Sequence, residues 1–345
     1  MKKIIYTWMI IVVGLFVSNG IVSASEASSE VDFNIQPILP TNQIDRGNSF
    51  FDLQVKAGDT QTIKVQINNF SKEEQKFSIK INRAETNGNV IIDYSGTTTE
   101  KRLSDKENIE KWVKYPESVT IPGEKAGIVS IEVSVPKEKF DGIILGGIQI
   151  SRDISKEKKS GLSTDYDYIL GLMLTENDKK IEPDLKLLKV SPKVISNNAG
   201  LNVTMQNPQP INISKVQMVG HIYKEDDQEK PVITREIKEG GIAPSSTFDI
   251  NFFNGAVGET KPLDPGDYLL KLDFKDESGK EWHFEKKFTI SKKEAEVVNT
   301  QVFTVKKDNT LLYVIIGILT AVLLILIFFF IFFFLKRKKE KEDQE

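Results

Sequence analysis

Apolar and polar residues alternate with a period of two over much of this chain. Phe51, Leu53 and Val55 alternate with Asp52, Gln54 and Lys56. Ile63, Val65 and Ile67 repeat the pattern, as do Phe77, Ile79 and Ile81, and Val129, Ile131, Val133 and Val135. This spacing turns one face of a strand to a core and the other to water. Ala57-Gly58-Asp59 predicts a turn between the first two runs. Asn87-Gly88 predicts a hairpin, because both residues tolerate the positive φ of tight turns. Ile143–Ile150 and Tyr166–Leu174 predict two further strands, with the charged Ser151–Thr164 stretch as a long hairpin loop. Glu176–Pro183, polar and holding one Pro, then reads as a seam.

The alternation restarts beyond it. Leu201, Val203 and Met205 predict one strand, and Val216, Met218 and Ile222 another. Phe248, Ile250 and Phe252 follow, then Leu270, Leu272 and Phe274. Trp282, Phe284, Phe288 and Ile290 close the series. Pro208-Gln209-Pro210 and Asp264-Pro265-Gly266-Asp267 carry turn chemistry. Short strands spaced by turns predict β-sandwiches, so the chain reads as mainly β, with two immunoglobulin-like sandwiches in tandem. Helix is scarce. Ile109, Trp112 and Val113 fit one short amphipathic turn, with Ser104 or Asp105 as its cap.

Two other segments break the pattern. Met1–Ala24 has a Lys2-Lys3 start, an apolar stretch over Ile4–Val17 and a Val22-Ser23-Ala24 cleavage site, the parts of a signal peptide. Leu311–Leu335 is apolar throughout and carries no charge. As a helix it would reach about 37 Å, against a bilayer core of about 30 Å. Lys336-Arg337-Lys338-Lys339 follows at once, which predicts a cytoplasmic tail and outer domains beyond the membrane.

Composition narrows the chemistry. The 345 residues include no Cys and only two His, His221 and His283. Disulfides, thiolate chemistry and three-histidine zinc sites are excluded. The balance of 46 basic and 49 acidic residues leaves no basic stripe for nucleic acid. Both histidines fall in strand registers. No loop has the oxygen-ligand spacing of a calcium site. No metal and no cofactor is implied, and catalysis is not expected.

Several short motifs occur in a fixed order. Phe33 with Gln36-Pro37 comes first, then Pro40, Asn42 and Gln43, and then Ser49-Phe50-Phe51-Asp52-Leu53. Ala84-Glu85-Thr86-Asn87-Gly88, Ile92-Asp93-Tyr94, Phe140-Asp141-Gly142 and Leu145-Gly146-Gly147 follow. Tyr168-Ile169-Leu170-Gly171-Leu172, Gln206-Asn207-Pro208, Ala243-Pro244 and Pro265-Gly266-Asp267-Tyr268 complete the set. In these the chain resembles the WxL-interacting proteins, surface proteins of Gram-positive bacteria. It departs from their pattern at Ala57 and Ser245, where Pro and Asn are usual.

The resemblance implies an N-terminal peptidoglycan-binding domain, a C-terminal domain for host surface proteins, and secreted WxL-domain proteins as partners. The expected layout is a signal peptide at 1–24, a first sandwich at 31–155 and a second at 165–292. A stalk at 293–310, a transmembrane helix at 311–335 and a tail at 336–345 follow. Strand 166–175 either completes the first sandwich or begins the second. The expected function is non-catalytic binding and scaffolding at the cell surface. The alternative is a membrane-bound cell-wall enzyme or regulator acting on peptidoglycan.

Glycan recognition calls for aromatic faces and polar groups. Tyr94, Trp112, Tyr115 and Asp141 are the first-domain residues suited to it. Trp112 also shares a helical face with Ile109 and Val113, which reads as a plug for the sandwich end. Gly142, Gly146 and Gly147 suit a close backbone approach by a ligand or partner strand. The structural alternative for them is backbone freedom or a bulge.

Overall fold

The computed structural model describes residues 32–96, 108–154, 166–255, 259, 261–302 and 310–342. The leader, the Ser104 and Asp105 cap candidates and most of the 151–164 loop lie outside these residues.

The first half contains β1 (Phe33–Ile38), β2 (Phe51–Gln54), β3 (Thr60–Asn69), β4 (Gln75–Arg83), β5 (Glu85–Thr86) and β6 (Ile92–Asp93). A 3-10 turn at Ile109–Lys111 precedes β7 (Val113–Lys114), β8 (Ser118–Ile121), β9 (Ala126–Ser134), β10 (Ile143–Arg152) and β11 (Asp167–Thr175). One sheet has the order β1-β3-β9-β7 and the facing sheet β2-β11-β10-β4-β8. Their alternating apolar positions meet in one core that includes Ile63, Val65, Ile131, Phe77, Ile148, Leu172 and Phe51. The turn at Ile109–Lys111 is capped by Asn108, whose side chain accepts from the Glu110 N–H at 3.1 Å.

Strand β11 sits inside the first sandwich. It pairs antiparallel with β10, Ile148 opposite Leu170, and parallel with β2, Leu174 opposite Leu53. Leu172 and Leu174 are fully buried in the first core.

The second half contains β12 (Lys186–Ile195), β13 (Asn198–Asn207), β14 (Ile213–Lys224), β15 (Ile233–Ile242), β16 (Ser246–Phe253), β17 (Gly266–Lys275) and β18 (Glu281–Ile290). Sheet β12-β13-β16 faces sheet β15-β14-β17-β18. Phe248, Phe252, Leu270, Leu272 and Phe274 fill the space between them. The molecule is therefore two immunoglobulin-like sandwiches in tandem. Strands β12 and β15 escape the alternation pattern for a local reason. Both are sheet edges with register shifts, so their outward and inward positions fall out of phase.

Helix α1 (Lys292–Gln301) follows β18 at once. Ser291 caps it: the Ser291 side chain accepts from the Glu294 N–H, and the Glu294 carboxylate accepts from the Ser291 N–H at 3.0 Å. Ala295, Val298 and Val302 are buried in the second core. Asn299 clamps the helix to the sandwich, accepting from the Leu263 N–H at 2.8 Å and donating to its carbonyl at 2.9 Å. The stretch expected as a stalk thus begins as a docked helix, because its apolar residues recur at helical spacing and find an open end of the sandwich. Helix α2 (Thr310–Glu342) carries the apolar segment Tyr313–Phe333, long and apolar enough to cross a membrane.

Candidate functional site

The first sandwich reaches into the second. Strands β5 and β6 form a hairpin, Glu85 opposite Asp93 and Thr86 opposite Ile92. Its tip plants Val90, fully buried, in the core of the second domain. The carbonyl of Val90 accepts from the Gly241 N–H at 2.9 Å, and that of Gly88 accepts from the Asn251 N–H at 3.3 Å. The Thr86 hydroxyl accepts from the Ala243 N–H at 2.9 Å. Arg83 Nη2 donates to the Ser245 carbonyl at 3.0 Å. Arg235 straddles the seam. Its Nη2 donates to the Gly88 carbonyl at 3.2 Å and to Asn89 Oδ1 at 2.7 Å, while Nη1 donates to the Asn251 carbonyl. Burial pushes the Arg235 pKa down.

The hairpin at Asn87-Gly88 exists, but the left-handed residue is Val90, at φ 57°. Gly88 serves another need: a Cβ there would lie 2.2 Å from the Asn251 amide. A β-branched residue rarely adopts positive φ. Burial of the Val90 side chain offsets that strain. Gly240 is the signal in the sequence that points to the contact, since a Cβ there would sit 2.6 Å from the Val90 carbonyl. A Gly pair inside a strand marks the approach of another backbone.

The seven candidate glycan residues do not converge on one cleft. Tyr94 lies on Gly147, whose added Cβ would be 2.5 Å from the Tyr94 Cβ. Burial raises the Tyr94 phenol pKa. Gly146 makes room on the other face for Ile109, 2.8 Å from an added Cβ. Gly142, at φ 74°, meets the seam: its added Cβ would be 2.0 Å from the Pro210 carbonyl oxygen. The next N–H, of Ile143, donates to that same oxygen at 2.8 Å. Close backbone approach thus operates at all three glycines, and the chain's own residues make it. Asp141 is solvent-facing and ties down the linker, accepting from Asn177 Nδ2 at 3.2 Å and from Lys179 Nζ. The Lys179 hydrogen bond, aided by Asn177, holds its carboxyl below the usual range. Trp112 is 7% exposed and packs against Phe140 with ring centroids 5.7 Å apart. The half-buried Tyr115 hydroxyl accepts from the Ile81 N–H at 3.2 Å.

Both histidines lie on the outward face of sheet β15-β14-β17-β18. His221 Nδ1 is 3.2 Å from the Thr234 hydroxyl. His283 Nδ1 is 2.7 Å from Asp273 Oδ1, and that hydrogen bond raises the His283 pKa. Lys275–Glu281 at 2.9 Å and Lys271–Glu285 at 3.8 Å continue the cross-strand ladder. Among the described residues no group of three or more His, Asp or Glu is placed to hold a metal ion.

Solved structures to which the chain is similar include chaperones. The chaperone–tip adhesin complex of CFA/I fimbriae matches at 14% identity and TM-score 0.32, covering 74% of this chain and 98% of that one. The YadV chaperone matches at 13% and 0.30, over 74% and 100%. The E. coli chaperone DraB matches at 12% and 0.29, over 75% and 98%. No curated protein matches the chain. Two family models do. Residues 33–152 match the WxL Interacting Protein peptidoglycan binding domain, and residues 157–300 match the WxL Interacting Protein host binding domain. The two matches follow one another along the chain, the second beginning before β11 of the first sandwich, and together they show that the chain belongs to the WxL interacting protein family.

Proposed function

We propose that this protein is a non-catalytic scaffold of the cell envelope. The first sandwich holds peptidoglycan, and the second holds a protein, either a secreted WxL-domain protein or a host surface protein. Helix α2 crosses the membrane, with the sandwiches outside and the basic tail in the cytoplasm. The observation that carries this reading is the presence of both family domains on one chain, joined by the buried hairpin. Two ligands held by one body stay at a fixed spacing, and each contact raises the effective concentration for the other.

The test uses the full chain in detergent, because neither sandwich is complete at the seam without the other. The protein is incubated with purified peptidoglycan and with proteins secreted by the same culture, then sedimented. The chain should pellet with the wall and carry secreted protein down with it. A chain that melts cooperatively yet stays in the supernatant overturns the wall-binding role. Release of soluble muropeptides would instead make it an enzyme.

A further inference from the structure

The outward face of sheet β1-β3-β9-β7 carries an uncharged platform. Its residues stand in register across three strands. Asn34 lies opposite Asn68, which lies opposite Ala126; Gln36 lies opposite Gln66, which lies opposite Ile128. Phe70, two residues beyond Asn68, is 55% exposed, and Ile128 is 56% exposed. The amides are oriented in one direction. Gln66 Nε2 donates to Asn68 Oδ1 at 2.8 Å, and Asn68 Nδ2 donates to Asn34 Oδ1 at 2.6 Å. Among the described residues, Asn34 Nδ2 is left as a donor at one end and Gln66 Oε1 as an acceptor at the other. The exposed Gln36 amide stands beside them.

Strand propensity does not account for this row. Asn is depleted in strands, yet Asn34 and Asn68 face each other within two of them. Soluble sheets blunt their edges with charge. Strand β1 is an edge blunted by Pro37 instead, and its outward Asn34 and Gln36 carry no charge; Lys64, opposite Ile38, borders the two rows. The outward face of the second domain is the opposite case, with Glu281, His283, Glu285 and Lys287 in sequence along β18. In a chain with 28% charged residues, two adjacent uncharged rows mark a surface suited to an uncharged ligand.

We propose that this platform takes the glycan backbone of peptidoglycan, its uncharged run of N-acetylated sugars, and not the charged stem peptides. The inference rests on the peptidoglycan reading above and adds the face and the part of the polymer. An acetamido group offers one N–H and one carbonyl, and sugar hydroxyls offer both roles. Side-chain amides supply the complement of each. Phe70 and Ile128 offer flat apolar surface to the C–H faces of sugar rings. Stem carboxylates would lose hydration over these two rows and find no counter-charge within them, since Lys64, opposite Ile38, belongs to the next row.

The test compares intact peptidoglycan with immobilised glycan strands freed of stem peptides by an amidase. The full-length protein should bind both. Gln66→Ala with Asn68→Ala should weaken both by roughly tenfold or more, with an unchanged melting temperature. Phe70→Ser and Ile128→Glu, each at an exposed position, should do the same and carry the test if the double variant melts early. Thr234→Ala with Lys238→Ala, on the second domain's outward face, should change neither. If wild-type binding is lost with the stem peptides, the glycan assignment falls. If the platform variants bind like the wild type, the face is wrong. A wild type that ignores intact wall overturns the peptidoglycan reading and this inference with it, a result distinct from the other two.

Discussion

Val90→Ala tests the seam most directly. The change removes two methyl groups from a side chain with no exposed surface, in a core that belongs to the other domain. Transfer of those groups costs about 1.6 kcal/mol at about 0.8 per methyl. A residual cavity of roughly 50 Å³ adds about 1 kcal/mol if the neighbours do not close in. The expected loss is therefore about 2–3 kcal/mol. For a body of this size that lowers the melting temperature by about 5–10 °C. Val90→Gly gives a second reading. Gly escapes the left-handed cost of about 1 kcal/mol but forfeits a similar amount through unfolded-chain entropy. The Gly and Ala variants should then lie within about 1 kcal/mol of each other, the missing Cβ included. Calorimetry on the full chain measures both. A Val90→Ala shift below 1–2 °C (roughly, on the same scale) would place the side chain outside the second core. A Gly variant far below the Ala variant would refute the left-handed backbone at residue 90.

Further outcomes follow from the same contacts. Arg235→Lys should lose about 1–2 kcal/mol in a denaturant melt, because one ammonium cannot span the Gly88, Asn89 and Asn251 oxygens; an unchanged midpoint would remove Arg235 from the seam. Gly142→Ala should cost at least about 2 kcal/mol, from its φ and the Pro210 carbonyl. Gly279→Ala, at φ 85° with nothing within 4 Å, should cost only about 1; equal effects would mean that the Pro210 approach is not there. The His283 ring should titrate above the usual imidazole range by NMR, and Asp273→Asn should bring it down. A raised pKa means that the protonated pair stabilises the fold at low pH and that this contribution fades as pH rises through the raised value. The pair is solvent-exposed, so screening keeps the effect on melting small.

The period-two alternation was enough to establish two β-rich halves, because each strand's own apolar positions must face a core wherever that core lies. The charge-free length of Leu311–Leu335 was likewise decisive for a membrane-length helix. The ordered motifs were enough to indicate the family. Tertiary structure decided what those motifs do. Gly142, Gly146 and Gly147 have the same local signature whether a ligand or the chain itself approaches them, and only the positions of Pro210, Ile109 and Tyr94 identify which. Strands β5 and β6, two residues each, are too short to show a period, and the Gly240-Gly241 pair says only that some backbone comes close, so the alternation did not announce that Val90 belongs to a core built more than a hundred residues later. Strand β11 had the same ambiguity, since Leu170, Leu172 and Leu174 fit either sandwich until β10 and β2 supply hydrogen bonds on both sides. Helix α1 looked like a stalk because its apolar residues are few; the open end of the second sandwich gives Ala295 and Val298 somewhere to go. Alternation reports which face of an element avoids water, and only the assembled fold reports what covers it.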